Sequence, residues 1–89
     1  MKKLLYFYAP WCNPCKYVDR EVINPLMRKS HRYKIEHINT EVDTNQCDLF
    51  EIKKVPTTII LEGDKEIYRY VGVALDMEEL EKILDDHNN

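Results

Sequence analysis

The stretch from Tyr6 to Lys16 constrains the fold of this chain more than any other segment. It reads YFYAPWCNPCK, an apolar run followed by a proline, a tryptophan and two cysteines with two residues between them. Amphipathic helical spacing begins immediately afterwards. The stretch therefore predicts a strand, a sharp turn and a helix whose first turn carries both thiols.

The positions of the two cysteines predict different chemical roles. At a helix N-terminus, the sulfur of Cys12 faces unpaired backbone N–H groups and the positive end of the helix dipole, which favour the thiolate. Cys15 lies three residues on and projects from the same face within about 5 to 6 Å, a spacing that a disulfide can bridge. Pro14 suits the first helical turn, and the charge of Lys16 stabilises a thiolate further. Cys12 is therefore the candidate nucleophile.

A zinc site is the alternative interpretation of the cysteine pair. Zinc takes about four protein ligands in a structural site, usually with a second Cys or His pair. The other candidate ligands are Cys47, His31, His37 and His87, and none of them has paired spacing. Redox chemistry is therefore favoured, and the sequence predicts neither a metal nor a cofactor.

Composition and charge place the chain among small globular proteins. Its 89 residues are 44 % hydrophobic and 33 % charged, which predicts one domain over residues 1–89. A net charge of −3 without a basic cluster predicts no nucleic-acid or membrane partner. An odd count of three cysteines and no signal sequence favour the reducing cytoplasm.

Periodicity and turn residues predict the element order β-α-β-α-β-β-α. The predicted strands are residues 3–8, 33–39, 57–62 and 66–71, and the predicted helices are residues 12–29, 46–53 and 76–85. Asn24-Pro25 is expected to kink or restart the first helix. A right-handed crossover makes the second strand parallel to the first, and residues 86–89 are expected to fray.

This order and three motifs resemble the thioredoxin superfamily in its minimal form. The motifs are the run 7–16, Val55-Pro56-Thr57 and Val71-Gly72-Val73. The resemblance covers essentially the whole chain and implies an α/β fold, with a four-stranded mixed sheet flanked by three helices. It also implies a short, glutaredoxin-sized member that lacks the N-terminal strand and helix of longer thioredoxins.

The resemblance implies a protein-disulfide reductase in which Cys12 attacks a substrate disulfide and Cys15 resolves the mixed disulfide. Pro56 matches the family's cis-proline, which would turn the backbone of Val55 toward an extended substrate segment. The implied substrate-contacting residues are Trp11, Pro14, Val55, Pro56 and Gly72, with Val71 beside them. The implied partners are disulfide-containing proteins and a thioredoxin-reductase-like electron donor, and the protein itself is expected to be a monomer.

Two positions depart from the family pattern. Six residues before the first cysteine, thioredoxins usually carry a buried aspartate that helps to deprotonate the resolving cysteine, whereas this chain has Tyr6. The lysine that partners this aspartate aligns with His37. Tyrosine is a poor base at neutral pH, so the candidates for proton transfer are His37, Lys16 and water, with a purely structural role for His37 as the alternative.

Other interpretations stay open at this stage. Asn13-Pro14 resembles the dipeptide of reducing thioredoxins, but the run 7–12 also resembles protein disulfide isomerase. Thioredoxin folds also serve as non-catalytic binding modules, and a cysteine pair can hold a metal or an iron–sulfur cluster with a partner chain. Cys47 is expected to act as a small hydrophobic residue of the second helix, with an exposed regulatory thiol as the alternative.

Overall fold

A four-stranded mixed sheet forms the centre of the fold. In the computed structural model, which describes residues 1–85, the strands are β1 Lys2–Tyr8, β2 Lys34–Asn39, β3 Thr57–Glu62 and β4 Lys65–Val71. Their spatial order is β2-β1-β3-β4, with β2 parallel to β1 and the two other pairs antiparallel. The predicted sheet is confirmed, and each strand agrees with its predicted bounds to within one residue. The predicted fraying of residues 86–89 lies outside the described residues.

β1 lies in the middle of the sheet because its side chains are apolar on both faces. Leu4, Leu5, Tyr6 and Phe7 are each no more than 1 % exposed. Leu4 and Tyr6 pack into the larger hydrophobic cluster on one face, and Leu5 and Phe7 pack into a smaller cluster on the other. The end of β1 is therefore firmly anchored where the turn to the cysteines begins.

The first helical unit follows that turn and runs without a break through three pieces. These are α1 Asn13–Val18, a π-helical turn Asp19–Ile23 and α2 Asn24–Lys29. The predicted interruption at Asn24-Pro25 is present as a new helical segment, α2, which begins at Asn24. The chain stays helical there, and the irregularity lies in the π-helical turn just before it. The N–H of Asn24 bonds to the carbonyl of Asp19, five residues earlier. Such a wider turn accommodates a proline, which has no N–H and crowds the turn before it.

The second helical unit, α3 Thr44–Leu49, is shorter than the predicted 46–53. Asp43 caps its start, with Oδ1 accepting the N–H of Gln46 at 3.1 Å. The helix ends early because Glu51 adopts a positive φ of 54°. The N–H groups of Glu51 and Ile52 then bond back to the carbonyls of Asp48 and Cys47, at 3.2 and 2.9 Å. These two bonds form a Schellman motif, which stops a helix.

The last helix, α4 Met77–Asp85, agrees with the predicted 76–85 to within one residue. Oδ1 of Asp76 accepts the N–H of Glu78 at 3.0 Å, and Leu80 is fully buried in the larger cluster. The first helical unit and α4 thus cover one face of the sheet, while residues of α3 and the loop after it cover the other. Within residues 1–85, none of the helices has the length and apolar character needed to cross a bilayer.

Candidate active site

A tight turn after β1 places Cys12 at the start of α1. The N–H of Cys12 bonds to the carbonyl of Ala9 at 3.1 Å, and Cys12 has the extended backbone of an N-cap residue. Its Sγ accepts the N–H of Cys15 at 3.2 Å. Pro14 lies in the first helical turn, where the N–H that proline lacks would have no partner within the helix. The predicted helix start at Cys12 is confirmed, and with it the backbone environment that favours a thiolate.

Cys12 and Cys15 form a disulfide. Their Cα atoms are 5.2 Å apart, within the predicted range, so the pair can open and close with little backbone movement. Both residues are buried, with 4 % and 2 % exposure, in a small cluster with Ala9. The geometry is therefore suited to a reversible dithiol–disulfide cycle, and of the two only Cys12 is placed at the helix start.

The segment before β3 lies against the first cysteine. The peptide bond between Val55 and Pro56 is cis, and the carbonyl oxygen of Val55 is 4.0 Å from Sγ of Cys12. The N–H of Gly72, at the end of β4, donates to the carbonyl of Pro56 at 3.0 Å. Gly72 thus contacts the segment Val55-Pro56, which comes from another motif in the sequence, and Val55 lies against Cys12.

Trp11 presents a large apolar surface next to the disulfide. Its side chain is 68 % exposed, and its Nε1 donates a hydrogen bond to Oε2 of Glu41 at 2.5 Å. Trp11 and Val55 line an open pocket of about 440 Å³, the front pocket, whose other walls include Lys53 and Lys54. Sequence reasoning missed Glu41, which lies in the loop after β2, because the contact joins segments thirty residues apart.

Behind the disulfide, Tyr6 takes the position of the family aspartate. Its side chain is 1 % exposed, and its hydroxyl donates to the carbonyl of Cys15 at 2.6 Å. Burial, and to a lesser degree the charge of Asp19 and the neighbouring Tyr8, raises the pKa of Tyr6 above its ordinary value. Tyr6 is therefore a protonated hydrogen-bond donor that holds the first turn of α1, and it does not replace the aspartate as a base.

His37 pairs with the carboxylate of Asp19 in the first helical unit. Its Nε2 is 2.8 Å from Oδ1 of Asp19, and the two side chains are 30 % and 36 % exposed. His37, Asp19, Lys16 and Cys15 line one cavity of about 230 Å³, the rear cavity. The spacing of four residues between Cys15 and Asp19 is the sequence signal that could have identified Asp19.

Cys47 lies away from the disulfide as a half-buried free thiol. It packs against the smaller hydrophobic cluster, and its Sγ is 3.9 Å from the carbonyl of Thr40. Burial, followed by the charges of Asp43 and Asp48, raises the pKa of the Cys47 thiol. These surroundings favour a packing role over that of a reactive thiol.

The sequence matches the family model described as Thioredoxin over residues 1–86. Thioredoxin M4, chloroplastic, of Arabidopsis thaliana is 33 % identical over 82 residues, which are 92 % of this chain and 42 % of that protein. The thioredoxin of Synechocystis sp. is 30 % identical over 71 residues, which are 80 % of this chain and 66 % of that protein. The chain thus spans less than two thirds of the length of these two relatives.

Solved structures of thioredoxins share the fold. The thioredoxin of Nicotiana alata superposes with a TM-score of 0.82 at 28 % identity, over 99 % of this chain and 74 % of that chain. The thioredoxin of Fasciola hepatica gives a TM-score of 0.81 at 17 % identity, over 98 % of this chain and 81 % of that chain. With a family match over nearly all of its length and a disulfide at the start of the first helix, this chain belongs to the thioredoxin family.

Proposed function

We propose that this protein reduces disulfides in other proteins, with Cys12 as the attacking thiol and Cys15 as the resolving thiol. The observation that carries the proposal is the position of Cys12 at the N-cap of α1, with Cys15 5.2 Å away at Cα, in a chain of the thioredoxin family. A sulfur that accepts a backbone N–H bond at a helix start is stabilised as the thiolate, which is the reactive form.

The reaction has two exchange steps. The Cys12 thiolate attacks one sulfur of the substrate disulfide, which forms a mixed disulfide and releases the other substrate sulfur as a thiolate. Cys15 then loses its proton and attacks Sγ of Cys12, which forms the internal disulfide and releases the second substrate sulfur. Two electrons pass to the substrate, which becomes a dithiol, while the Cys12–Cys15 pair becomes oxidised.

The substrate binds as an extended segment across the surface beside Cys12. Backbone groups of Val55, next to the cis Pro56, pair with the segment, in the manner of a strand added to a sheet edge. Trp11 provides an exposed apolar platform, Pro14 keeps the first helical turn rigid, and Gly72 allows close approach because it has no side chain. The contact of Val55 with the sulfur of Cys12, and the bond that joins Gly72 to Pro56, support this assignment.

The cellular setting is a reducing cytoplasm, where the protein acts as a single monomeric domain in redox homeostasis and electron transport. A thioredoxin-reductase-like donor returns electrons to the Cys12–Cys15 disulfide after each turnover. The free thiol of Cys47 supports this setting, because free cysteines persist in reducing compartments.

Measuring the reduction potential of the Cys12–Cys15 couple in defined dithiol buffers, alongside reduction of a protein disulfide, tests the proposal. A value near about −270 mV is expected for a reductase. A value near about −180 mV is typical of isomerases and would contradict the proposal that electrons flow from the Cys12–Cys15 pair to the substrate disulfide. A variant with both Cys12 and Cys15 replaced by serine should lose all reductase activity. If the biological effect of the protein survived this replacement, it would be a binding module instead.

A further inference from the structure

The rear cavity brings Cys15 together with a hydrogen-bonded pair of side chains from two other parts of the fold. His37 of β2 is the direct strand partner of Tyr6, and Asp19 lies one helical turn after Cys15. Nε2 of His37 is 2.8 Å from Oδ1 of Asp19. Cys15, Asp19 and His37 all line the same cavity of about 230 Å³, which is roomy enough to hold water molecules.

The contact with Asp19 sets the protonation of the His37 ring. A carboxylate is only an acceptor, so Nε2 carries the proton that it shares with Oδ1 of Asp19. In the neutral imidazole the other nitrogen, Nδ1, is then an acceptor. When the ring takes up a second proton, the carboxylate stabilises the positive charge that forms. His37 and Asp19 together therefore provide a proton acceptor with a counter-charge.

The other ionisable groups on the cavity side of His37 are less suited to accept a proton. The Tyr6 hydroxyl already donates to the carbonyl of Cys15, and its raised pKa keeps it protonated. The ammonium group of Lys16 has three donors and no acceptor. Tyr8 contributes an aromatic ring, which contacts that of His37 at an interplanar angle of 76°.

On the opposite side of His37, two carboxylates add negative charge. Glu36 and Asp43 line a second hollow with His37 and Tyr8, and this hollow does not include Cys15. The side chain of His37 is 30 % exposed, so a proton that it receives can pass on to solvent. His37 thus connects the enclosed cysteine with bulk water.

We propose that His37, oriented by Asp19, accepts the proton of Cys15 through water in the rear cavity when the mixed disulfide is resolved. This inference rests on the proposed reductase function and names its proton route. His37 is the proton acceptor, and Asp19 is a positioning residue that acts through His37. The pair performs the task that the family assigns to a buried aspartate, with a carboxylate supplied by the helix instead of β1.

The proposed step is balanced in protons and electrons. The Cys15 thiol gives its proton to a water molecule, which gives one to His37, and the Cys15 thiolate attacks Sγ of Cys12. The bond between Sγ of Cys12 and the substrate sulfur breaks, and the substrate sulfur leaves with the electron pair as a thiolate. Solvent protonates this thiolate, and the His37 imidazolium returns its proton to solvent. Reduction of the internal disulfide runs through the same groups in reverse.

A two-phase reaction with the coloured disulfide dithiobis(nitrobenzoate) separates this inference from the proposed function. In stopped flow, the attack of Cys12 releases one nitrothiobenzoate, and the attack of Cys15 on the resulting mixed disulfide releases another. Every protein carries Cys47→Ser, so that only the active-site thiols react. The rates of both phases are measured between pH 5 and 9, within which an imidazole ordinarily titrates.

His37→Gln should slow the second phase at neutral pH by about tenfold or more, because general bases contribute about 10²- to 10⁴-fold and this one acts through water. It should also change the pH profile of the second phase, because the proposed proton acceptor is then absent. Asp19→Asn should slow the second phase by about threefold to tenfold. His31→Gln, at an exposed histidine away from the cavity, is the matched control and should change neither phase.

Each alternative result has a definite meaning. If the wild-type protein gives no first phase, the proposed reductase function fails, and the proton route fails with it. If the first phase is normal and His37→Gln leaves the second phase and its pH profile unchanged, the proton route is overturned while the reductase proposal stands. The route is also overturned if Lys16→Gln, rather than His37→Gln, slows the second phase and changes its pH profile. An unchanged second phase in Asp19→Asn overturns the role of Asp19.

Discussion

The two cysteines of the disulfide lie in different surroundings, although their Cα atoms are only 5.2 Å apart. On the attack side, Cys12 contacts Val55, and its neighbour in sequence, Trp11, is exposed. On the resolving side, Cys15 faces the rear cavity with Asp19 and His37. The attack side keeps the residues that the family motifs predict. The resolving side does not, because a tyrosine and a histidine occupy the two positions where the family has an aspartate and a lysine.

This difference separates two requirements of disulfide exchange. Activation of Cys12 needs a helix start and a nearby substrate surface, and both depend on backbone geometry that short motifs determine. Release by Cys15 needs only a proton acceptor within reach of a buried thiol, and side chains from several elements can provide one. The resolving side can therefore be rebuilt from other residues while the attack side stays the same.

Serine substitutions of the two cysteines should give the largest effects. Cys12→Ser removes the thiolate that forms the mixed disulfide, so both release phases should fall to the background rate. Cys15→Ser should keep the first phase and lose the second, and a stable mixed disulfide should accumulate, visible by mass spectrometry. If Cys15→Ser abolished the first phase too, the two sides would not be separable.

Gly72→Ala tests whether the backbone conformation of Gly72 supports the attack side. Gly72 has a φ of +127°, which residues with a Cβ rarely adopt. The substitution should lower the free energy of unfolding by about 1 to 3 kcal/mol, as measured by urea denaturation. It should also slow the first phase with a peptide disulfide, because the N–H of Gly72 holds the carbonyl of Pro56.

Gly63→Ala is the matched control for that prediction. Gly63 lies in the hairpin turn between β3 and β4 with a φ of +61°, and a methyl group on its Cα would meet open space. The substitution should destabilise the protein by about 1 to 2 kcal/mol and leave both phases unchanged. An equal slowing by Gly63→Ala would mean that lost stability, and not the position of Pro56, controls the first phase.

Tyr6→Phe tests the resolving side with a smaller expected effect. The substitution removes the hydrogen bond from the hydroxyl to the carbonyl of Cys15, but that carbonyl still accepts the N–H of Asp19. The loss in unfolding free energy should therefore be about 1 kcal/mol. The second phase should stay within about twofold of wild type, because hydrogen-bond removal there leaves the proposed base in place. A collapse of the second phase would place Tyr6 in the proton route.

Local sequence patterns predicted most of the fold and the place of Cys12 at the start of the first helix. The apolar run of β1, the cysteine spacing and the β3–β4 hairpin are each encoded within one short, continuous stretch of the chain. The early end of α3 could not be predicted in this way. It depends on the positive φ of Glu51, an acidic residue with no intrinsic preference for that conformation.

The resolving side could not be read from local patterns, because its residues meet only in the folded chain. Asp19 is 18 residues from His37 in sequence, and the two are joined by a single side-chain contact. Asp19 also begins the π-helical turn, where the regular assignment of helix faces no longer holds. The fold nevertheless directs Asp19, one helical turn after Cys15, to the rear cavity.

The pH dependence of stability provides the last and smallest test of the resolving side. The pKa of Tyr6 is raised in the folded protein, chiefly by burial, while an unfolded tyrosine titrates near about pH 10. The folded state therefore holds this proton more tightly, so the stability that Tyr6 contributes is complete below about pH 10 and declines as the pH rises further.

The advantage of wild type over Tyr6→Phe in unfolding free energy should be constant from pH 7 to 9 and should narrow by pH 11. Urea denaturation of the oxidised proteins measures this difference. If this difference stayed constant up to pH 11, Tyr6 would ionise as readily in the folded protein as in the unfolded chain. Tyr6 would then again be a candidate base for Cys15.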